Sequence, residues 1–182
     1  RYLLENPEII MDVINVLEAR GVADAQAAER QMLRELAGPL FNDGYSFVDG
    51  NPDGDVVMVE FIDYQCTFCK RAHPEVASLL ANDGNIRLII KEFPILGPVS
   101  DSASRAAMAV LNEQGPELYK EFADQMMRFP GRLDENMIDR LAERSGVDVE
   151  AMRAGMNSRA IDRQLEQNKL LAQQLDITGT PT

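Results

Sequence analysis

The chain has 182 residues and a net charge of −12, from 18 basic and 30 acidic side chains. That length suits one domain with an insertion or an appended arm, and it is short for two ordinary domains. The acidic balance disfavours nucleic acid and anionic membrane surfaces as partners, because both repel it. At 45% hydrophobic and 26% charged residues the composition is globular rather than disordered. No apolar run approaches the roughly 18 residues that span a bilayer.

Residues 1–43 read as an N-terminal arm of two helices. Asn6-Pro7 is a helix start, since a proline at the first helical position gives up an N–H that has no partner there anyway. Ile9, Ile10, Val13, Ile14 and Leu17 recur at helical spacing, and Gly21 is expected to stop the run. A second run from Asp24 carries Ala27, Ala28, Met32, Leu33 and Leu36 and ends at Gly38-Pro39. An apolar stripe of this kind has to be buried, on the rest of the chain or on another copy of it.

Residues 44–97 carry the motif. Tyr45 to Val48 is expected as a short strand, followed by the turn cluster DGNPDGD, Asp49 to Asp55. Val56 to Ile62 is an apolar, β-branched run interrupted by Glu60, and it reads as a central buried strand. A helix is expected from near Cys66, bent at Pro74 and closed at Asn82-Asp83-Gly84. Ile86 to Phe93 then reads as a second buried strand. Strand, helix and strand at this spacing form a βαβ unit with two parallel neighbours. Residues 98–175 read as a helical block with breaks at Gly115, near Asp134, at Asp148 and near Arg159. Residues 176–182, DITGTPT, have the shape of a loop leading into a strand.

The chain has two cysteines, and they stand as Cys66-Thr67-Phe68-Cys69 at the start of that helix. A sulfur at the first turn faces backbone N–H groups without intrahelical partners, at the positive end of the helix dipole. Both favour thiolate, so the Cys66 pKa is expected below the free value. Cys69, one turn along, lies on the same face and deeper, where it keeps its proton longer. A nucleophilic sulfur beside a resolving thiol is the asymmetry that thiol–disulfide exchange needs. Glu60, six residues before Cys66, has two readings. Beneath the site it is a carboxyl of raised pKa that takes the Cys69 proton; on the other face of the strand it is solvated.

The segment EFIDYQCTFCKRAHPEV, Glu60 to Val76, resembles the active-site segment of the DsbA-like thioredoxin-fold oxidoreductases. The resemblance extends over about Tyr45 to Thr182 and includes the helical insertion and the TPT loop. It implies an α/β thioredoxin fold with an inserted all-helical block and an N-terminal helical arm. It further implies Cys66 as nucleophile, Cys69 as resolving thiol, Glu60 as buried acid, and Pro181 as a cis-proline facing the disulfide. Thr180 would offer its backbone to a substrate strand, beside Thr67 and Phe68. No organic cofactor is implied, only the redox-active Cys66–Cys69 disulfide. The fold so implied continues past Thr182 with a hairpin and a helix. YLLENPEIIMDVINVLEAR, Tyr2 to Arg20, resembles the arms of suppressor-of-copper-sensitivity proteins and similar oligomeric isomerases. Thr67-Phe68 departs from the Pro-His dipeptide of DsbA, and Phe68 has no donor for the thiolate.

The expectation is therefore a disulfide oxidoreductase or isomerase of the bacterial envelope or periplasm. Its partners would be cysteine-containing protein substrates and a membrane redox partner, and the arm would join copies into a homo-oligomer. An alternative uses the same two thiols to hold Cu(I), in a copper-binding or copper-tolerance role. Zinc is disfavoured, because two thiols and His73 fall short of four tetrahedral ligands. A purely structural disulfide across so short a loop would constrain little chain entropy.

Overall fold

The computed structural model describes Tyr2 and residues 6–182; Arg1 and Leu3 to Glu5, at the start of the arm, lie outside the described residues. The chain divides into two compact units, one ending at Gly38 and the other running from Pro39 to Thr182.

The first unit is a single helix, α1, Glu8–Glu35. The break expected at Gly21 does not occur. A glycine inside a helix costs only about 1 kcal/mol relative to alanine, and the flanking Glu18-Ala19-Arg20 and Ala25 to Arg30 are mostly strong helix formers. No described residue of α1 is buried; Ile10, Val13, Ile14 and Leu17 are exposed on it.

A short helix, α2, Ala37–Phe41, leads into the sheet unit. The sheet has three described strands: β1 (Phe47–Gly50), β2 (Val56–Ile62) and β3 (Ile86–Glu92). Their order is β1-β3-β2, with β1 antiparallel to β3 and β2 parallel to it. The registers pair Phe47 and Glu60 each with Ile90. Two points differ from the sequence expectation, the exposure at the start of β2 and the start of β1. Among the described strands β3 lies between the other two, and Val56 and Val57 at the start of β2 are exposed. The outer edge of β2 is bonded at Phe61, which exchanges both backbone hydrogen bonds with Thr182, at 2.9 and 3.4 Å. β1 starts two residues late, because the Asp43 carboxylate accepts from the N–H groups of Tyr45 and Ser46 and holds them in a turn.

Residues 39–43 belong with the sheet rather than the arm. Lys91 of β3, fully buried, donates to the Pro39 carbonyl and the Asp43 carboxylate, and Arg87 donates to the Phe41 carbonyl.

The helix α3, Thr67–Asn82, connects the two parallel strands and continues through Pro74. The helical block follows as α4 (Pro98–Gln114), α5 (Pro116–Arg128), α6 (Glu135–Arg144), α7 (Val149–Gly155) and α8 (Arg159–Gln174). Asp134, Asp148 and Ser158 cap the last three by accepting from the N–H three residues on. α4 is the hub of the block and packs on α5, α6, α7 and α8. Its Ala103, Ala106, Ala107 and Ala109 are fully buried, and such small side chains let neighbouring helices approach closely. The block is not a separate domain. Ile62, Tyr64, Cys66 and Cys69 share one continuous core with Val110, Phe122, Met126 and Ile138.

Candidate active site

Cys66 is the N-cap of α3, in extended backbone, and its sulfur accepts from the Cys69 N–H at 3.4 Å. In this dithiol form Cys66 Sγ also donates to the Thr180 carbonyl at 3.1 Å. Burial pushes the Cys66 thiol up, but side-chain hydrogen bonding by Thr180 and Cys69 and the N–H groups of Cys69 and Phe68 outweigh it, so its pKa is lowered. Cys69 faces the core, 1% exposed, and burial pushes its thiol up to about 12. The two sulfurs, one turn apart, therefore ionise in opposite directions.

The loop that presents Cys66 is anchored at every residue. Asp63, fully buried, accepts from the N–H groups of Gln65, Ile95 and Leu96 and from the Ser100 hydroxyl. Tyr64, also fully buried, donates to Glu92 Oε1 at 2.7 Å. The Gln65 amide exchanges two hydrogen bonds with the backbone of Leu133 in the helical block. From the first turn of α3, Lys70 donates to the carbonyls of Phe129 and Gly131. The Cys66 loop is thus held from both sides, by the sheet unit and by the helical block.

Glu60 turns to the site side of β2, partly buried, and lines a cavity of about 780 Å³ together with Cys69. Burial raises its pKa and the charge of His73 opposes that rise. The Thr180–Pro181 peptide is cis, and both residues are partly buried beside Cys66. Thr67 and Phe68 lie on the surface, with Phe68 62% exposed and the Arg71 guanidinium 4.5 Å from its ring centre.

The sequence reading passed over Glu92, a fully buried carboxyl on β3. It accepts from Tyr64, Tyr119 and Ser104, each at 2.7 Å, and burial pushes its pKa up to about 7. The signal was available: Lys91-Glu92 is a charged pair inside an otherwise apolar run, where each charge needs a partner. His73 is half-buried and bonded to Asp124 at 2.8 Å.

A buried dithiol that opens a helix inside a strand–helix–strand unit defines a thioredoxin-like oxidoreductase site. The chain belongs to the DSBA-like thioredoxin domain family, which matches residues 57–182. Residues 2–23 match a second family, the Copper resistance protein ScsC N-terminal domain. Among solved structures the chain is similar to a thioredoxin-like oxidoreductase from Silicibacter pomeroyi, with 40% identity, 79% of this chain and 82% of that one covered, and a TM-score of 0.75. It is also similar to the catalytic domain of Proteus mirabilis ScsC, with 28% identity, 84% and 83% covered, and a TM-score of 0.76. A curated relative, Na(+)/H(+) antiporter NhaA 3 of Salinispora tropica, is 28% identical over 137 residues, 74% of this chain; the match spans 21% of that antiporter's length.

Proposed function

We propose that this chain forms or isomerises disulfides in cysteine-containing proteins of the bacterial envelope, by exchange at Cys66 and Cys69. The observation that carries the reading is the opposed ionisation of the two thiols, with the Cys66 sulfur capping α3. An envelope setting agrees with this chemistry, since exchangeable disulfides persist in oxidising compartments.

In the oxidase direction a substrate thiolate attacks Cys66 Sγ, the Cys66–Cys69 bond breaks, and Cys69 leaves as a thiolate that takes up a proton. The substrate's second thiolate then attacks the mixed disulfide and displaces Cys66, so two electrons pass from substrate to enzyme. In the isomerase direction the Cys66 thiolate attacks a wrong substrate disulfide, and Cys69 closes on Cys66 if the complex stalls. Glu60 exchanges the Cys69 proton in either direction. Thr180 and Pro181 form the floor on which a substrate strand lies, with Thr67 and Phe68 at its rim. A membrane redox partner resets the pair.

Insulin reduction and reactivation of scrambled ribonuclease test this reading. Both activities are expected in the wild type and lost in Cys66→Ser; a wild type inactive in both assays would overturn it.

The arm's match to the ScsC N-terminal family supports a second reading, in which the two thiolates hold Cu(I). Its test is whether one equivalent of Cu(I) protects Cys66 from alkylation; undiminished alkylation would exclude it.

A further inference from the structure

The cavity beside Cys69 holds a second ionisable pair. One face of α3 carries Cys69 and His73, four residues apart and so in line along the helix. Glu60 faces the same space from β2, and Asp124 faces it from α5. These groups run from the interior outward: Cys69 is 1% exposed, whereas His73 and Asp124 are exposed by 27% and 29%. At about 780 Å³ the cavity has room for a chain of waters, each taking roughly 30 Å³.

Asp124 holds His73 firmly. Its Oδ1 lies 2.8 Å from His73 Nε2, and its Oδ2 accepts from Arg128 Nε at 2.6 Å. Burial acts to raise the Asp124 carboxyl, but these two bonds outweigh it and lower its pKa. Other ionisable groups also face the cavity. Tyr119 and Lys120 do so from α5, with Lys120 paired to Asp49 of β1 at 2.6 Å. Glu117, Glu121 and Asp83 stand around the same space. Of these groups His73, once it is protonated, acts by its charge on the Glu60 carboxyl.

The exchange reaction needs such a group. When Cys69 resolves a mixed disulfide, the Sγ69–Sγ66 bond forms, the bond from Sγ66 to the partner sulfur breaks, and the partner leaves as a thiolate. The Cys69 proton passes to Glu60, which must return it to water before the next turnover. We propose that His73, clamped by Asp124, is the outlet of this path. The imidazole takes the proton from the Glu60 side through cavity water and releases it at the mouth, while Asp124 stabilises the imidazolium. His73 is thus a relay residue one step removed from the reacting sulfurs. This inference rests on exchange at Cys66 and Cys69.

The test follows the full chain, reduced, after mixing with oxidised glutathione, with acid quenching and mass spectrometry to count the Cys66–glutathione mixed disulfide. In His73→Gln, which keeps a donor for Asp124, resolution of that species by Cys69 is expected to slow on the order of tenfold, below the range for direct proton transfer. Free imidazole added to the variant should restore the rate, and the rate of Cys66 alkylation should match the wild type. His73→Asn, a second variant, should show the same slowing and the same rescue. An unchanged resolution rate, or a slowing that imidazole does not relieve, overturns the relay. A wild type that never forms the mixed disulfide at Cys66 overturns the exchange reading beneath it, and the relay with it.

Discussion

Cys66 and Cys69 are chemically identical side chains separated by one helical turn, and position alone separates their chemistry. The Cys66 sulfur sits at the cap, where the Cys69 amide points at it; the Cys69 sulfur is enclosed by the core. Iodoacetamide rates against pH should therefore give Cys66 a midpoint below the ordinary thiol value of about 8.5, with Cys69 unreactive until far higher pH. Glu92 makes a second prediction at this scale. Its carboxyl ionises near pH 7 when folded, against 4.5 for the ordinary group. The folded state thus holds the proton more tightly, and this contribution is fully present below pH 4.5 and lost as pH rises towards 7. Relative to Glu92→Gln, the wild type should lose about 3 kcal/mol of stability across that window, as read by urea unfolding at each pH. A flat difference would mean that Glu92 ionises normally. Glu60 stood out in the sequence because it lies six residues before a cysteine. Glu92 gave only the local signal of a charge in an apolar run; its partners Tyr64, Tyr119 and Ser104 are distant in sequence and only the fold gathers them.

Among the elements, the limits of β2 and of the helices were legible because Gly, Pro and capping Asp or Ser residues mark them locally. The failures share a cause: local signals do not report what lies alongside. Gly21 looks like a stop until the alanine-rich flanks carry α1 through it. The apolar start of β2 looks buried, yet Val56 and Val57 are exposed. α3 carries the prediction for this scale. DsbA, at about −120 mV, is strongly oxidising because its reduced form is stabilised, and its intervening dipeptide includes a histidine. Here the exposed Phe68 supplies no hydrogen bond to the Cys66 sulfur through its side chain. The Cys66–Cys69 pair should therefore titrate against glutathione at a potential a few tens of millivolts lower, roughly 1–2 kcal/mol of lost thiolate stabilisation. A potential at or above that of DsbA would refute this.

For the whole molecule, the question is what the arm does with its apolar side chains. Ile10, Val13, Ile14 and Leu17 are each at least 40% exposed on a helix of 28 residues with nothing buried. A stripe of this size in water favours association with another copy, and an assembly would hold several dithiols around a shared space, as an isomerase needs. Light scattering should give a mass above the 20.3 kDa of one chain, falling to that of a single copy when residues 1–38 are removed. A monomer with the arm intact would end the oligomer reading and favour an oxidase.

The contact between Cys66 Sγ and the Thr180 carbonyl has a further meaning for turnover. That oxygen is also an acceptor a bound peptide would want, and in the dithiol it is already taken by the enzyme's own thiol. A disulfide has no proton to give, so oxidation vacates the acceptor and reduction fills it again. Under the proposed exchange, a peptide strand on Thr180 should therefore be held more tightly by the disulfide form than by the protonated dithiol. The effect strengthens as pH falls and Cys66 stays protonated.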